Sequence, residues 1–295
     1  MRTVFLGTSE FAAAVLRRLA NSPHRPALVF TRPDRPRGRG RKLAAPPVAT
    51  AAHELGLEVE QPESINGDAA RARIADAAPE VVCVCAFGAL IKEPLLSEHP
   101  VLNVHPSLLP RWRGAAPIER AIMAGDELTG VSIMRLTAGL DSGPVCAQED
   151  QAIRPDDTYG SLAARLQELG GDLLVAVLDT APPCVEQDGA AVTYAEKILP
   201  ADRELDPQRT AIELERLVRA LTPHIGAYVV QADGARLGVV AARALTGDGP
   251  PPGVVTLEGP RPVLGCDHGA LELIVVQPPG RRAMSGEAYL RGLRR

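Results

Sequence analysis

The sequence contains no apolar run approaching the length of about 18 residues that a membrane-spanning helix requires. It also lacks the features of a secretory leader, because Glu10 interrupts the N-terminal apolar segment and no small-residue cleavage site follows it. The net charge of −4 is compatible with solubility but identifies no partner. From these absences we expect a soluble, cytoplasmic protein without a membrane partner.

Cysteine is sparse, and its spacing gives no sign of a cysteine-based site. The five cysteines form no CxxC pair, and an odd number at scattered positions argues against a disulfide framework. Cys83 and Cys85 stand in the apolar run VVCVCAF, where we expect them to be buried as small hydrophobic residues. The sequence therefore predicts no metal site in this strand.

The glycine-rich loops that bind nucleotides are missing as well. The first predicted strand–helix turn reads LGTSEF rather than GxGxxG, so it lacks the loop that holds a dinucleotide pyrophosphate. The segment GRGRK follows no strand directly and opens no helix, as a phosphate-binding P-loop would. NAD and ATP are therefore not expected as ligands.

The first 180 residues alternate between strand-like and helix-like segments. Apolar runs such as TVFLG, ALVFT, VVCVCAF and VLNVH predict strands, and EFAAAVLRRLA, with Ser9 as its N-cap, predicts a helix. This alternation is typical of an α/β fold with an open, mostly parallel sheet and helices on both faces. Between two of these elements, TRPDRPRGRGRKLAAPP is too rich in Pro, Gly and Arg for regular structure.

The pattern changes after residue 180, and a chain of 295 residues is long enough for two domains. A turn-rich segment suited to a linker comes first, followed by the helical pattern RTAIELERLVRAL. Five short apolar runs separated by Gly and Pro turns then predict a small antiparallel barrel, for which an OB-like fold is one option.

Two polar residues stand at the end of the predicted strand VLNVH. Asn103 and His105 are two residues apart, so their side chains share one face of the strand, and Pro106 ends it. Ligands of open α/β sheets bind at this carboxyl edge, and an amide and an imidazole there could hold an oxyanion. Asp141, between glycines after the strand GVSIMRL, could orient His105. On spacing alone, Asn103 and Asp141 could equally be turn residues and His105 a buried, satisfied imidazole.

The same residues lie in segments that resemble a known enzyme family. Residues 103–114 resemble the formyltransferase signature Asn-x-His-Pro-Ser-Leu-Leu-Pro followed by Arg and Gly, and LDSGP around Asp141 resembles the family's acidic loop. These enzymes take the formyl group of 10-formyltetrahydrofolate. The similarity runs nearly end to end with the branch that formylates methionyl-tRNA. The segments FLGTSEFA, TRPDRPRGRGRKLAAPPV, TYAEKI, PPGVV and GALELIVVQPPGRRAMSG each resemble one of its segments, in the same order.

The resemblance implies an architecture and a site. Residues 1–189 would form a Rossmann-like catalytic domain, residues 190–205 a linker, and residues 206–295 an OB-like domain that helps to hold tRNA. Asn103 and His105 would stabilise the oxyanion, and Asp141 would interact with His105 and relay the proton. The residues expected to line the folate site are Ser107, Leu108, Leu109 and Pro110. No metal is implied, and a monomer is expected, with initiator methionyl-tRNA and the folate co-substrate as partners.

The basic loop fits an RNA substrate. Six cations and one acid lie between Arg32 and Lys42, and such a cluster can neutralise phosphates of an acceptor stem. The residues expected to contact tRNA are Arg35, Arg37, Arg39, Arg41 and Lys42. The alternative is a solvated, flexible loop that binds nothing, or one that becomes ordered only on binding.

Two other functions remain open from the sequence. The first is a related formyltransferase that acts on glycinamide ribonucleotide or an amino sugar nucleotide, which should keep the Asn103, His105 and Asp141 set but lack the basic loop and the barrel. The second is a tRNA-binding module with a decayed catalytic site. The presence of all three residues, Asn103, His105 and Asp141, argues against it.

Overall fold

The computed structural model describes residues 1–37, 42–247 and 249–293. The strands are β1 (Thr3–Gly7), β2 (Pro26–Phe30), β3 (Arg35–Arg37), β4 (Lys42–Ala44), β5 (Val59–Glu60), β6 (Val81–Cys85), β7 (Val101–His105), β8 (Arg113–Gly114), β9 (Leu128–Arg135), β10 (Val145–Ala152), β11 (Tyr194–Ala195), β12 (Ala227–Val230), β13 (Arg236–Leu245), β14 (Val255–Thr256), β15 (Val263–Gly265), β16 (Ala270–Gln277) and β17 (Met284–Ser285). The α-helices are α1 (Glu10–Ala20), α2 (Pro47–Glu54), α3 (Asp68–Asp76), α4 (Leu95–Glu98), α5 (Pro117–Ala124), α6 (Tyr159–Thr180), α7 (Ala211–Leu221) and α8 (Gly286–Leu293). Short 3-10 turns occupy Gly189–Ala191 and Pro200–Arg203.

The chain divides into two compact units that do not follow a single cut in the sequence. The first contains Met1–Gly114, Leu128–Ala152 and Ala163–Tyr194. The second contains Ala115–Glu127, Ile153–Leu162 and Ala195–Arg295. The predicted boundaries at residues 189 and 206 remain a prediction.

A seven-stranded sheet in the order β10-β9-β7-β6-β1-β2-β5 organises the first unit. The strands from β7 to β5 in this order pair in parallel, whereas β9 and β10 are antiparallel additions at one edge. All five residues of β1, β6 and β7 are buried, as expected of strands with neighbours on both sides. The predicted mostly parallel open sheet is confirmed. Ser9 caps α1 as predicted, because its side chain accepts a hydrogen bond from the backbone N–H of Ala12.

An antiparallel sheet in the order β12-β13-β16-β15-β14, with β17 paired to β16, forms most of the second unit. Helix α7 buries Leu214, Leu217 and Leu221 in the core of this unit, and its capping box joins Thr210 to Glu213. The antiparallel C-terminal β domain predicted from the sequence is confirmed. Helix α8 was not predicted, because the segment GEAYLRGL is short and contains two glycines, yet it places Tyr289 and Leu290 in the same core.

The basic loop is more regular than the sequence predicted. Strand β3 pairs antiparallel with β4, with Arg35 opposite Ala44 and Pro36 opposite Leu43. The expectation of no regular structure in this segment is therefore wrong for these residues. Both strands of a two-stranded ladder are edge strands. Pro36, which has no backbone N–H to donate, is therefore tolerated at a position that needs no donor.

The expectation that the cysteines form no disulfide is also wrong. Cys146 and Cys184 are bonded to each other, although they are 38 positions apart in the sequence. Their neighbours Val145 and Val185 exchange two backbone hydrogen bonds of 2.8 Å, which brings the two thiols together. Nothing in the spacing of the cysteines indicates this pairing. Cys83, Cys85 and Cys266 are free and buried.

Candidate active site

Strand β7 carries the two residues predicted to stabilise an oxyanion. It lies between β6 and β9, with Asn103 opposite Val84 on one side and opposite Met134 on the other. His105 is the last residue of the strand and stands opposite Ser132. Asn103 has paired neighbours on both flanks and His105 on the β9 side, and their side chains point to the same face of the strand.

The side-chain amide of Asn103 is close to the interior but engages no other part of the described chain. The residue is 9% exposed. Within residues 1–37, 42–247 and 249–293, no hydrogen bond to its amide is found, and the amide is not among the fully buried polar atoms that lack a partner, so it is open to a ligand. Two N–H donors are therefore available at the carboxyl edge of the sheet, which suits the binding of an oxygen atom of a ligand.

His105 is surrounded by oxygen acceptors. Its Nε2 lies 2.9 Å from the backbone oxygen of Trp112, and its Nδ1 lies 3.7 Å from Oδ2 of Asp141. Because a carbonyl oxygen only accepts, the bond to Trp112 requires Nε2–H as the donor, and Nδ1 is the nitrogen that faces the carboxylate. The distance to Asp141 is too long for a hydrogen bond, so the carboxylate faces Nδ1 without a direct bond to it. The predicted proximity of His105 and Asp141 is thus present in the structure.

Asp141 is held by its loop rather than by the imidazole. Its Oδ2 accepts a hydrogen bond of 2.9 Å from the backbone N–H of Gly114. The loop is closed by a hydrogen bond from the backbone N–H of Arg135 to the Pro144 oxygen. Gly143 is required inside it, since a Cβ atom at this position would lie 2.0 Å from the Arg135 oxygen. The loop therefore presents the carboxylate from a constrained backbone.

Backbone strain is concentrated around these side chains. Ala86, Trp112 and Asp141 have positive φ angles of 42°, 62° and 42° without being glycine. They follow β6, β7 and β9, three adjacent strands of the sheet. Each such conformation costs about 1–3 kcal/mol and persists where surrounding structure enforces it, commonly at functional sites. Trp112 was not singled out from the sequence, because its contact to His105 is made by its backbone oxygen.

The four residues predicted to line a folate site form the turn after β7. Ser107 is fully buried, and its hydroxyl donates a 2.6 Å hydrogen bond to the Arg111 oxygen, so in this structure it holds the turn. Leu108 is half-buried, whereas Leu109 and Pro110 line an open cavity of about 360 Å³ together with residues of β10 and residues 183–188. Their contact with folate remains a prediction.

The predicted tRNA contacts are described only in part. Arg35 is exposed at the start of β3. Arg39 and Arg41 lie outside the described residues, as do the side chains of Arg37 and Lys42. Their role in RNA binding remains a prediction.

The buried cysteines and the acidic and histidine side chains of the described residues supply neither a nucleophile nor a metal site. Burial raises the pKa of the Cys83 thiol to about 12, and burial raises the pKa of Cys85 as well, so neither is a thiolate. Among the described side chains, no group of three or more His, Cys, Asp or Glu residues could hold a metal ion. In the same part of the chain, we find no helix with the length and hydrophobicity needed to cross a bilayer.

Solved structures of similar fold cover almost the whole chain. The structure of HypX from Aquifex aeolicus in complex with tetrahydrofolic acid matches 98% of this chain and 47% of its own, with a TM-score of 0.66 and 16% identity. A methionyl-tRNA formyltransferase from Clostridium thermocellum matches 84% of this chain and 96% of its own, with a TM-score of 0.62 and 15% identity. At these identities the likeness shows the fold alone.

Comparisons of sequence are more specific. The formyl transferase model matches residues 1–178, and the model of the formyl transferase C-terminal domain matches residues 197–294. The methionyl-tRNA formyltransferase of Methylococcus capsulatus is 43% identical over 299 residues, covering 98% of this chain and 96% of the relative. The enzyme of the same name from Cereibacter sphaeroides is 41% identical over 297 residues, covering 99% of this chain and 96% of the relative. Because both domain models match and the relatives align over nearly their whole length, the chain belongs to the formyl transferase family.

Proposed function

We propose that the protein transfers the formyl group of 10-formyltetrahydrofolate to the α-amino group of initiator methionyl-tRNA, giving formylmethionyl-tRNA for translation initiation. The observation that carries the proposal is the approach of Asp141 to His105 beside the unpaired amide of Asn103 at the carboxyl edge of the sheet. The acceptor is supported by the relatives named methionyl-tRNA formyltransferase, and the donor by the structure of similar fold that binds tetrahydrofolic acid.

The three residues have distinct tasks in this reaction. The amino group of the methionine attacks the formyl carbon, and the carbonyl electrons move to oxygen, where the Asn103 amide and the His105 imidazole stabilise the negative charge. The tetrahedral intermediate collapses when the bond from the formyl carbon to N10 breaks. The attacking amine loses one proton, and N10 of the leaving tetrahydrofolate gains one. The His105–Asp141 pair relays this proton, because Nδ1 faces the carboxylate.

The binding assignments follow from the same proposal. Folate would lie against the turn after β7, where Leu108 and Pro110 are half-buried and Leu109, although buried, lines the cavity of about 360 Å³. The basic loop between Arg32 and Lys42 and the C-terminal domain would bind the tRNA. Residues 1–189 would act as the catalytic domain, residues 190–205 as the linker and residues 206–295 as the tRNA-holding domain, in a monomeric cytoplasmic enzyme. The separate family models over residues 1–178 and 197–294 support this division.

A formylation assay with purified protein tests the proposed function. Methionyl-tRNA and 10-formyltetrahydrofolate are supplied, and free methionine, glycinamide ribonucleotide and an amino sugar nucleotide are added separately as competing acceptors. We expect formylmethionyl-tRNA as the product, with no formylation of the competitors at equal concentration. Preferential formylation of the ribonucleotide or of the sugar would assign the protein to another acceptor. Binding of tRNA without any transfer would make it a non-catalytic module.

A further inference from the structure

Gln187 uses its whole side-chain amide to join two segments of the site. Its Nε2 donates hydrogen bonds to the backbone oxygens of Asp141 and Gly143, at 2.8 and 2.7 Å. Its Oε1 accepts hydrogen bonds from Nε and Nη2 of Arg113, at 3.0 and 2.7 Å. Both N–H groups and both lone-pair positions of the amide are therefore occupied. Sequence reasoning did not find this residue, because a single glutamine in an irregular segment has no pattern.

The two segments that Gln187 joins are those that surround the His105 imidazole. Arg113 stands between Trp112, whose oxygen lies 2.9 Å from His105 Nε2, and Gly114, whose N–H donates to Asp141 Oδ2. The other segment carries Asp141 itself. One amide thus holds the backbone on both sides of the imidazole, and the separation of the two segments sets the distance from His105 to Asp141.

The segment that carries Gln187 is itself firmly attached. Val185 exchanges two backbone hydrogen bonds with Val145, and Cys184 is bonded to Cys146. Further along, Thr193 accepts a hydrogen bond from the Trp112 N–H with its hydroxyl and one from the Arg113 N–H with its backbone oxygen, both 2.9 Å. Gln187 is half-buried between these attachments, whereas Glu186 and Asp188 on either side are exposed. Its amide therefore acts from a backbone with little freedom.

From these contacts we propose that Gln187 is a positioning residue for the transfer reaction: its four hydrogen bonds set the geometry of the His105–Asp141 pair. The proposal rests on the proposed function. A misplacement of about 1 Å in a catalytic group can lower the rate by about a hundredfold, so removal of these four hydrogen bonds should affect turnover more than substrate binding. A purely structural role would instead lower the stability and leave the turnover of the folded enzyme unchanged.

Two variants distinguish the hydrogen bonds of Gln187 to the Asp141 loop from those to Arg113. Gln187→Met keeps the length of the side chain and removes all four hydrogen bonds. Gln187→Glu keeps an acceptor for Arg113 but replaces both donors to the loop by a carboxylate that faces two carbonyl oxygens. We expect either variant to lower kcat by about ten- to a hundredfold, with the KM for both substrates within about twofold of the parent.

Asn66→Leu is the matched control. The Asn66 amide also bridges two backbone groups of the first unit, the Leu90 oxygen and the Lys92 N–H, both at 2.9 Å, but it bonds to neither the Asp141 loop nor the segment of Arg113. We expect a similar loss in thermal stability and a kcat within about twofold of the parent. A kcat loss in Asn66→Leu equal to that in Gln187→Met would overturn the positioning role.

A double variant gives the decisive readout. If Gln187 acts through the Asp141 loop, Gln187→Met should lower kcat by less than about twofold in an Asp141→Asn background, because the carboxylate it positions is already gone. Equal factors in both backgrounds, or a raised KM with unchanged kcat, would overturn the inference. The parent is measured in the same assay on methionyl-tRNA. An inactive parent refutes the proposed function and the inference with it, whereas an active parent with fully active Gln187 variants refutes the inference alone.

Discussion

The Asp141 carboxylate lies 3.7 Å from Nδ1 of His105, and the same oxygen accepts a hydrogen bond of 2.9 Å from the Gly114 N–H. His105 ends a central strand of the sheet, whereas Asp141 stands on the loop between β9 and β10. The carboxylate is thus fixed by a backbone group and faces the imidazole without a hydrogen bond to it. Because the Gly114 N–H holds the carboxylate and the carboxylate in turn faces His105, a substitution can remove the charge or displace the loop separately.

Asp141→Asn should remove the charge while keeping the loop in place. An asparagine oxygen can still accept the hydrogen bond from Gly114, so the fold should be retained. We expect the turnover to fall by about 10²–10⁴-fold, the usual contribution of a group that takes part in proton transfer. The pH–rate profile should lose one ionisation rather than shift. A modest decrease in turnover with an unchanged profile would assign Asp141 to loop structure only.

Gly143→Ala should displace the loop that carries Asp141. The added Cβ would lie 2.0 Å from the Arg135 backbone oxygen, which cannot move without disturbing the end of β9. We expect kcat to fall by at least about tenfold, because the carboxylate leaves its position. Gly139→Ala in the same loop is the control, since its Cβ would meet only the Ser142 side chain, which can rotate away. Equal effects of the two substitutions would contradict the account.

Arg39→Ala tests the role of the basic loop in RNA binding. If the loop grips the acceptor stem, the KM for methionyl-tRNA should rise while the KM for the folate stays the same. The slope of log affinity against log salt should shrink by about one unit for each phosphate that the variant no longer neutralises. Arg17→Ala, which removes an exposed ion pair with Glu54, is the control and should leave the slope unchanged. Parallel slopes for the parent and Arg39→Ala would mean that the loop is a solvated surface.

Glu213→Gln tests the capping box of α7 through the pH dependence of stability. Hydrogen bonds from the Thr210 backbone and side chain lower the pKa of Glu213, so its ionised form stabilises the folded state. That stabilisation is present above the pKa of an unfolded glutamate and is lost as the pH falls through the lower pKa of the folded state. Thermal unfolding should show the variant less stable than the parent at neutral pH and equally stable once Glu213 is protonated. A constant difference at every pH would contradict this role.

Features that depend on the local pattern of residues were predictable from the sequence. The shared face of Asn103 and His105 follows from the two-residue period of a strand, and Pro106 marks where that strand ends. Strands β1, β6 and β7 are apolar throughout, so their burial in a parallel sheet was predictable.

Contacts between distant segments were not predictable in the same way. The position of Asp141 after a strand suggested that it could orient His105, but only the family resemblance favoured this over a turn residue, because no local period connects a loop to a distant strand. The contacts of Gln187 and the bond between Cys146 and Cys184 depend on how the segment after α6 returns to β10. Helix α8 is defined by the core that it completes rather than by its own short pattern.

The most direct test of the account is the rate of formyl transfer by Asn103→Ala at saturating methionyl-tRNA and 10-formyltetrahydrofolate. The Asn103 amide makes no hydrogen bond within the described residues, so its removal should leave folding and folate binding nearly intact. We predict that the transfer rate falls by about 10²–10³-fold, the usual loss for one oxyanion donor. A rate within about threefold of the parent would contradict the oxyanion role of Asn103 and the chemistry proposed for this site.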